Sequence, residues 1–339
     1  MRLSTPDEIE KKTLLILRVL RDANQPMGAR LIARRMADHG VSMSERTIRY
    51  HLRLMDERGL TKLAGRRDGR LVTKMGLDEL GSARVRDKLG LAISRIEILA
   101  FKTTFDPKGK RGLLPVNLSF FHRKVFRDAL EAMKPAFREG LCVSELVSVA
   151  GAGEKLGDVV VPEGTIGLAT VCSIVVNGVL LKNGIPMDSK FGGILQISKG
   201  RPLRFVELIY YSGSSLDPSE AFIQARMTSV REVAQRGEGR ILANFREIPA
   251  PSRSLVESII SDFRKAGING VLSMGEVSEP ICEVPVDLNK IGLVLIGGLN
   301  PVSCAREAGI ESENKAMSTV MNFDDLTPFK SVFAGIRGR

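Results

Sequence analysis

Apolar positions recur at helical spacing in three stretches at the start of the chain. Ile9, Thr13, Ile16, Leu17 and Leu20 predict a helix over 9–21, with Pro26 closing the loop that follows. Leu31, Ile32 and Met36 predict a second helix over 28–39 that stops at Gly40, a residue suited to the left-handed end of a helix. A third is predicted over 44–58, with Ser44 as N-cap, Glu45 as a favourable anion in the first turn, and Ile48, Leu52 and Met55 as its buried stripe. The pattern then shortens. Residues 60–63 and 70–73 read as two strands joined by the turn 64–69, so three helices and a hairpin predict a winged helix-turn-helix.

From Arg95 the pattern becomes glycine-rich, with strand-like apolar runs alternating with helical ones, as in an α/β domain. It also repeats. Ile166-Gly167-Leu168 and Gly184-Ile185 match Ile291-Gly292-Leu293 and Gly309-Ile310 at one offset of 125, and Ser148 matches Ser273 at the same offset. Ile98-Leu99-Ala100 resembles Ile241-Leu242-Ala243 at an offset of 143, and Leu216-Asp217-Pro218 resembles Leu326-Thr327-Pro328. Each half is then expected to run strand, helix, strand, strand, helix, strand, with helices over 120–138 and 254–266. The competing account is a chance likeness. The expected fold class is α+β: an N-terminal winged helix-turn-helix followed by an α/β regulatory domain built from two duplicated halves. The expected boundaries are a head over 1–80, a connector over 81–94, a duplicated effector-binding and dimerisation domain over 95–330 (halves about 95–235 and 236–330), and a basic tail over 331–339.

Charge sharpens this division. The net charge of +11 is concentrated in the first 90 residues, which carry +8, while the other 249 carry +3. A basic head on a nearly neutral body suggests nucleic-acid binding by the head. On the third helix Arg46, Arg49, Tyr50 and Arg53 share the side opposite the apolar stripe, with Ser44 and Thr47 at its start. Guanidinium forks there can meet guanine edges or phosphates in a major groove. A merely solvated face is the alternative, which the single sign of these charges argues against. Arg66, Arg67 and Arg70 on the hairpin are placed to meet backbone phosphate or a minor groove. A head of this size usually works as a dimer on two half-sites.

Chemistry is sparse elsewhere. Hydrophobic residues make up 43% and charged residues 26%, as in ordinary globular proteins. The longest run of apolar residues and glycine, 291–299, is too short to span a membrane, so a cytoplasmic protein is expected. Cys142, Cys172, Cys282 and Cys304 form no CxxC pair, and His39, His51 and His122 have no HExxH partner, so neither a disulfide framework nor a metal site is expected. Gly151, Gly153 and Gly157 imitate a dinucleotide fingerprint with the third glycine one position late. No Walker loop or nucleophile elbow appears; no catalytic residue and no cofactor is expected. What does recur is small polar turns after apolar strands, able to hold a small anion through N–H groups, hydroxyls and a nearby cation. They supply Thr170, Cys172, Ser173, Ser189, Lys190, Gly192, Gly193, Ser214, Arg226, Thr228, Ser229 and Asn300 as candidate effector-binding residues. Each such turn could equally be only a tight connection.

Six stretches together resemble the NrpR family, the nitrogen regulatory repressors of methanogenic archaea: Thr170-Val171-Cys172-Ser173, Ser189-Lys190-Phe191-Gly192-Gly193, Ser214-Ser215-Leu216-Asp217-Pro218, Met227-Thr228-Ser229-Val230, Asn244-Phe245-Arg246-Glu247-Ile248-Pro249 and Gly297-Gly298-Leu299-Asn300-Pro301. The resemblance runs from the head to Leu326. It implies a homodimeric transcriptional repressor on palindromic double-stranded DNA operators of nitrogen-assimilation genes, released when the effector 2-oxoglutarate binds the regulatory domain. Some members carry two such domains and this chain has room for one, so a second copy would come from another subunit. The alternative is a metabolite-binding module, or an enzyme of unrecognised chemistry, with a nucleic-acid-binding head.

Overall fold

A computed structural model describes residues 6–65, 69–82 and 91–337. The chain divides into two compact units, residues 1–89 with 158–160, and residues 90–157 with 161–339.

In the first unit α1 (Pro6–Ala23), α2 (Ala29–Ala37) and α3 (Glu45–Glu57) are followed by the hairpin β1 (Thr61–Gly65) and β2 (Gly69–Val72) and by α4 (Lys74–Ser82). The apolar stripes meet in one core, with Ile16, Leu17, Ile32, Met36, Ile48 and Leu52 fully buried. Two stripe residues fall outside it: Ile9 and Leu31 are both 39% exposed. The hairpin is anchored near its turn by paired backbone bonds between Met27 and Arg70, both 3.0 Å. Gly69 starts β2 at φ +91, where a Cβ would stand 2.3 Å from the Met27 carbonyl carbon, so only glycine fits this junction. Helix α4 takes up the first residues assigned to the connector. Arg66 and Arg67 of the expected hairpin tip lie outside the described residues.

The second unit opens with α5 (Leu91–Lys102), which replaces the end of the expected connector with helix. Then come β3 (Leu113–His122), α6 (Phe126–Arg138), β4 (Leu146–Gly151), the two-residue strand β5 (Lys155–Leu156), the two-residue strand β6 (Val159–Val160), which is counted with the first unit, and then β7 (Thr165–Val171), α7 (Ile174–Lys182) and β8 (Asp188–Ser198). A hairpin partner β9 (Arg201–Tyr210) and two short helices, α8 (Pro218–Gln224) and α9 (Val230–Arg236), lead to the second half. That half is β10 (Gly239–Pro249), α10 (Arg253–Lys265), β11 (Val271–Val277), β12 (Lys290–Ile296), α11 (Asn300–Glu307) and β13 (Ser312–Asn322), followed by β14 (Thr327–Pro328) and α12 (Phe329–Arg337).

The strand order in the two main sheets is β13-β3-β7-β4-β14 and β11-β12-β10-β8-β9. The registers are equivalent. Leu118 faces Ala169 in one and Phe245 faces Val294 in the other, so first strands correspond 127 residues apart and third strands 125 apart. The last strand of each half is exchanged: β8 pairs with β10 of the second half, and β13 with β3 of the first. In β3 every residue from 114 to 121 is buried, so that strand is covered on both faces. Helices α6 and α10 bury matching stripes, with Phe126, Leu130, Met133 and Phe137 in one and Val256, Ile260 and Phe263 in the other. Helix α7 is buried all round from Ile174 to Leu180.

Four local expectations are corrected. Ile98–Ala100 sit in helix α5, while their supposed copies 241–243 are strand; the true counterparts of 241–243 are 114–116. Residues 120–122 belong to β3, so α6 starts six residues later than predicted. Asp217 caps a helix, whereas Thr327 pairs with Val147 in a sheet, so the two Pro-containing triplets are not equivalent. The expected tail is helix α12, beginning at Phe329, whose ring stacks on Phe137 at 4.0 Å; residues 338–339 lie outside the described residues.

Candidate functional site

On α3 the Ser44 hydroxyl caps the helix, accepting from the Thr47 N–H at 3.1 Å, and so spends itself on fold. With Ile48, Leu52 and Met55 turned inward, Arg46, Thr47, Arg49, Tyr50 and Arg53 are all exposed, as helical geometry requires. The face is less uniformly positive than its arginines suggest: Glu45 pairs with Arg49, and Glu57 lies 3.5 Å from Arg53. Both are exposed i,i+4 pairs, weak enough for a phosphate to displace. Arg70 is different. Its Nε donates to Asp56 at 2.7 Å, and Asp56 also accepts from Thr61 at 2.5 Å, so Arg70 braces the hairpin rather than projecting from it.

In the second unit a polar cavity lies where the two halves meet. It has room for about 20 Å³, roughly one water, and its wall includes Asn117, Cys172, Ser173, Tyr211, Asn244 and Arg246. Strand alternation places Asn244 and Arg246 on one face of β10. Arg246 is only 1% exposed. Its guanidinium reaches the Ser173 hydroxyl at 3.4 Å and the Met187 sulfur at 3.9 Å, while its Nε makes no hydrogen bond within the protein. Among the described residues it forms no ion pair. Burial pulls its pKa down, against the pull of Tyr211 and Cys172. Tyr211 donates to Asn244 at 2.5 Å, and Asn244 donates to Ser173 at 3.2 Å. Burial pushes the Cys172 thiol up to about 11, so it is a neutral neighbour rather than a nucleophile. Asp217, also in the wall, caps α8 through the Glu220 N–H at 3.0 Å, and burial raises its pKa. The cavity thus holds a guanidinium without a carboxylate partner, ringed by hydroxyl and amide groups. Such a set of groups has the chemistry to hold an anion.

A family model described as NrpR regulatory domains NRD1 and 2 matches residues 89–328. The global nitrogen regulator NrpRI of Methanosarcina mazei is 39% identical over 319 residues, covering 94% of this chain and 98% of its own length. The chain belongs to the NrpR family. The global nitrogen regulator NrpR of Methanococcus maripaludis is 31% identical over 92% of this chain, which spans 54% of that protein. A crystal structure of a nitrogen repressor-like protein from Methanococcus jannaschii matches with a TM-score of 0.60 and 30% identity, over 70% of this chain and 98% of that one. The head, residues 14–80, matches a model described as the ribonuclease R winged-helix domain.

Within this NrpR chain only Cys172 and Ser173 of the candidate effector residues line the cavity. Thr170 lies two residues before Cys172 on β7, buried, its hydroxyl without a partner. Asn300 clamps α11 to β10, both amide atoms bonding Leu242 backbone at 2.8 and 3.0 Å. Ser189 accepts from Asn177 at 3.1 Å, and Ser214 closes its own turn on Leu216. Gly192 and Gly193 serve close packing, against Pro218 and the Glu207 carbonyl. Thr228 donates to Glu307 at 2.8 Å, Ser229 accepts from the Arg240 N–H at 2.9 Å, and Arg226 is exposed after α8. Lys190 is held by Asp287 at 2.7 Å, Asp188 at 2.9 Å and Glu247 at 3.2 Å. Those three carboxylates lie close enough to share a cation, and the Lys190 ammonium already stands among them. The residues that turn-by-turn reasoning missed are Arg246, Asn117, Tyr211 and Asn244. The available signal was the cluster of Asn244, Arg246 and Glu247 inside a strand-like stretch bounded by Ile241-Leu242-Ala243 and Ile248.

Proposed function

We propose that this chain is a nitrogen-responsive transcriptional regulator, a repressor that holds operator DNA with its winged-helix head and releases it when 2-oxoglutarate enters the Arg246 cavity. The observation that carries the effector half is the buried, unpaired guanidinium: a cation removed from water without a counter-charge is costly, and a carboxylate ligand supplies that charge. The DNA half rests on the exposed Arg46, Arg49, Tyr50 and Arg53 of a helix-turn-helix whose relatives carry the name of nitrogen regulators. The protein acts as a homodimer, since one short helix reads too few base pairs. The cavity is too small for the effector as it stands, so entry requires the wall to open. An effector that favours the open arrangement lowers DNA affinity hundredfold if it binds that arrangement by about 2.7 kcal/mol more tightly.

The test is fluorescence anisotropy of labelled DNA from the gene's own upstream region, at fixed near-physiological salt, with and without millimolar 2-oxoglutarate. Binding that 2-oxoglutarate weakens supports the proposal. Binding that ignores it removes the effector. In the same assay Arg49→Glu should abolish DNA binding and leave effector binding intact; equal loss of both would contradict the division of labour.

A further inference from the structure

We propose that the cavity reads a two-ended acid in one fixed direction, Arg246 taking the 2-oxo acid end and Asn117 the far carboxylate. This rests on the effector reading above and adds the orientation and the residue that selects for the second charge.

The argument comes from the internal duplication. Asn117 faces Thr170 across the β3–β7 register and Asn244 faces Leu295 across β10–β12, so the two asparagines are equivalent positions of the two halves, and both line the one cavity. Helices α7 and α11 are equivalent too, and the residues preceding them, Cys172 and Ser173 in one half and Gly298 and Leu299 in the other, also line it. The cavity therefore lies on the pseudo-two-fold relation, with two helix N-termini converging on it, each favouring negative charge.

The symmetry is broken at three places. Arg246 corresponds to Ser119, and Ser173 to Gly298. Asn244 has both amide atoms engaged, by Tyr211 and Ser173. Asn117, only 2% exposed, uses its Oδ1 to accept from the Met317 N–H at 3.0 Å, and its Nδ2 has no partner. At Gly298 a Cβ would come within 2.5 Å of that Nδ2, so glycine keeps the amide clear. One end thus offers a guanidinium with a free Nε and a hydroxyl, matching the three oxygens of a 2-oxo acid head. The other offers one buried, free amide donor beside a helix N-terminus, matching a plain carboxylate.

The experiment is calorimetric titration of the full chain with 2-oxoglutarate and with 2-oxobutanoate, which keeps the head and lacks the far carboxylate. The unmodified protein should prefer 2-oxoglutarate by about tenfold or more, one charge-assisted bond. Asn117→Leu should erase that preference by weakening 2-oxoglutarate while leaving 2-oxobutanoate within about twofold. Asn117→Asp, which preserves the acceptor for Met317, should disfavour 2-oxoglutarate further by like-charge repulsion, again sparing 2-oxobutanoate. Equal weakening of both acids, or an unchanged preference, overturns the assignment of Asn117. Failure of either acid to bind the unmodified protein overturns the effector reading and this one with it. Arg246→Met separates the ends: it should cost both acids alike.

Discussion

Replacing Arg246 by methionine should make the protein more stable and, on the function proposed above, weaken its binding of 2-oxoglutarate at once. In the folded chain this guanidinium gives up water for the Ser173 hydroxyl at 3.4 Å and a thioether at 3.9 Å, with the Tyr211 hydroxyl as a further polar neighbour. The first is a long hydrogen bond, worth about 1 kcal/mol at most, and the second is weaker. Against that stands a desolvation penalty of several kcal/mol for a buried ion. Methionine keeps the length and much of the apolar contact, so part of the volume is retained and the charge is gone. The net expectation is a gain of about 2 kcal/mol, after a small allowance for the methionine's imperfect fit. For a unit of this size that raises the midpoint of its thermal transition by roughly 4–8 °C. Differential scanning calorimetry without ligand reads it, on the transition assigned to the regulatory unit. Binding of 2-oxoglutarate to the variant should fall at least thirtyfold, the equivalent of about 2 kcal/mol. A variant destabilised by more than about 1 kcal/mol would refute the reasoning, because it would mean that the guanidinium is already satisfied inside the protein.

Glu307, at the end of α11, accepts from the N–H groups of Val230 and Arg231 at 2.7 and 2.9 Å and from the Thr228 hydroxyl, so it caps α9 from another element. Glu307→Ala should cost about 2 kcal/mol in urea titration, and a loss below about 0.5 kcal/mol would mean the cap is replaceable. Burial, and then the Lys12 charge, hold the His51 imidazole below its ordinary value. A lowered folded-state pKa gives stability that is full above about pH 6.5, where the unfolded chain is also neutral, and is lost as pH falls through the folded value. The head should therefore melt at lower temperature at pH 5 than at pH 7, and His51→Gln should flatten that dependence; an unaltered slope in the variant would count against it. Asp56→Ala, which frees both Arg70 and Thr61, should lower the head's stability by about 1 kcal/mol in the same melts.

The head was legible because helical period and strand alternation report burial directly, and Ile48, Leu52 and Met55 are buried on the face opposite the arginines. The duplication was legible where glycine marked it. Gly167 and Gly292 stand at equivalent strand positions where a Cβ would strike a neighbouring side chain, and the offset they set is the true one. Three apolar residues carry no such constraint, which is how Ile98–Ala100 of a helix came to imitate a strand. The small polar turns answer to a related cause. Serine and glycine answer to local turn and packing needs, and here Ser214, Gly192 and Gly193 are consumed by them. The Arg246 cavity is instead built by pleat parity: Arg246 and Glu247 are neighbours in sequence and point to opposite faces, one to the cavity and one to Lys190. Which strand pairs with which across the two halves left no periodic trace at all.

The exchange of end strands carries a consequence for how the protein is made. Asn117 and Met317 are joined by a hydrogen bond across 200 residues, because β13 completes the sheet that β3 begins. At a synthesis rate of about 5–20 residues per second, β3 waits roughly 10–40 s on the ribosome for that partner. The head's apolar core, which runs only from Leu14 to Leu80, can assemble during that interval. Newborn chains thus pass through a stage with a folded winged-helix head and an unfinished second unit, the edge of an apolar strand open until β13 emerges.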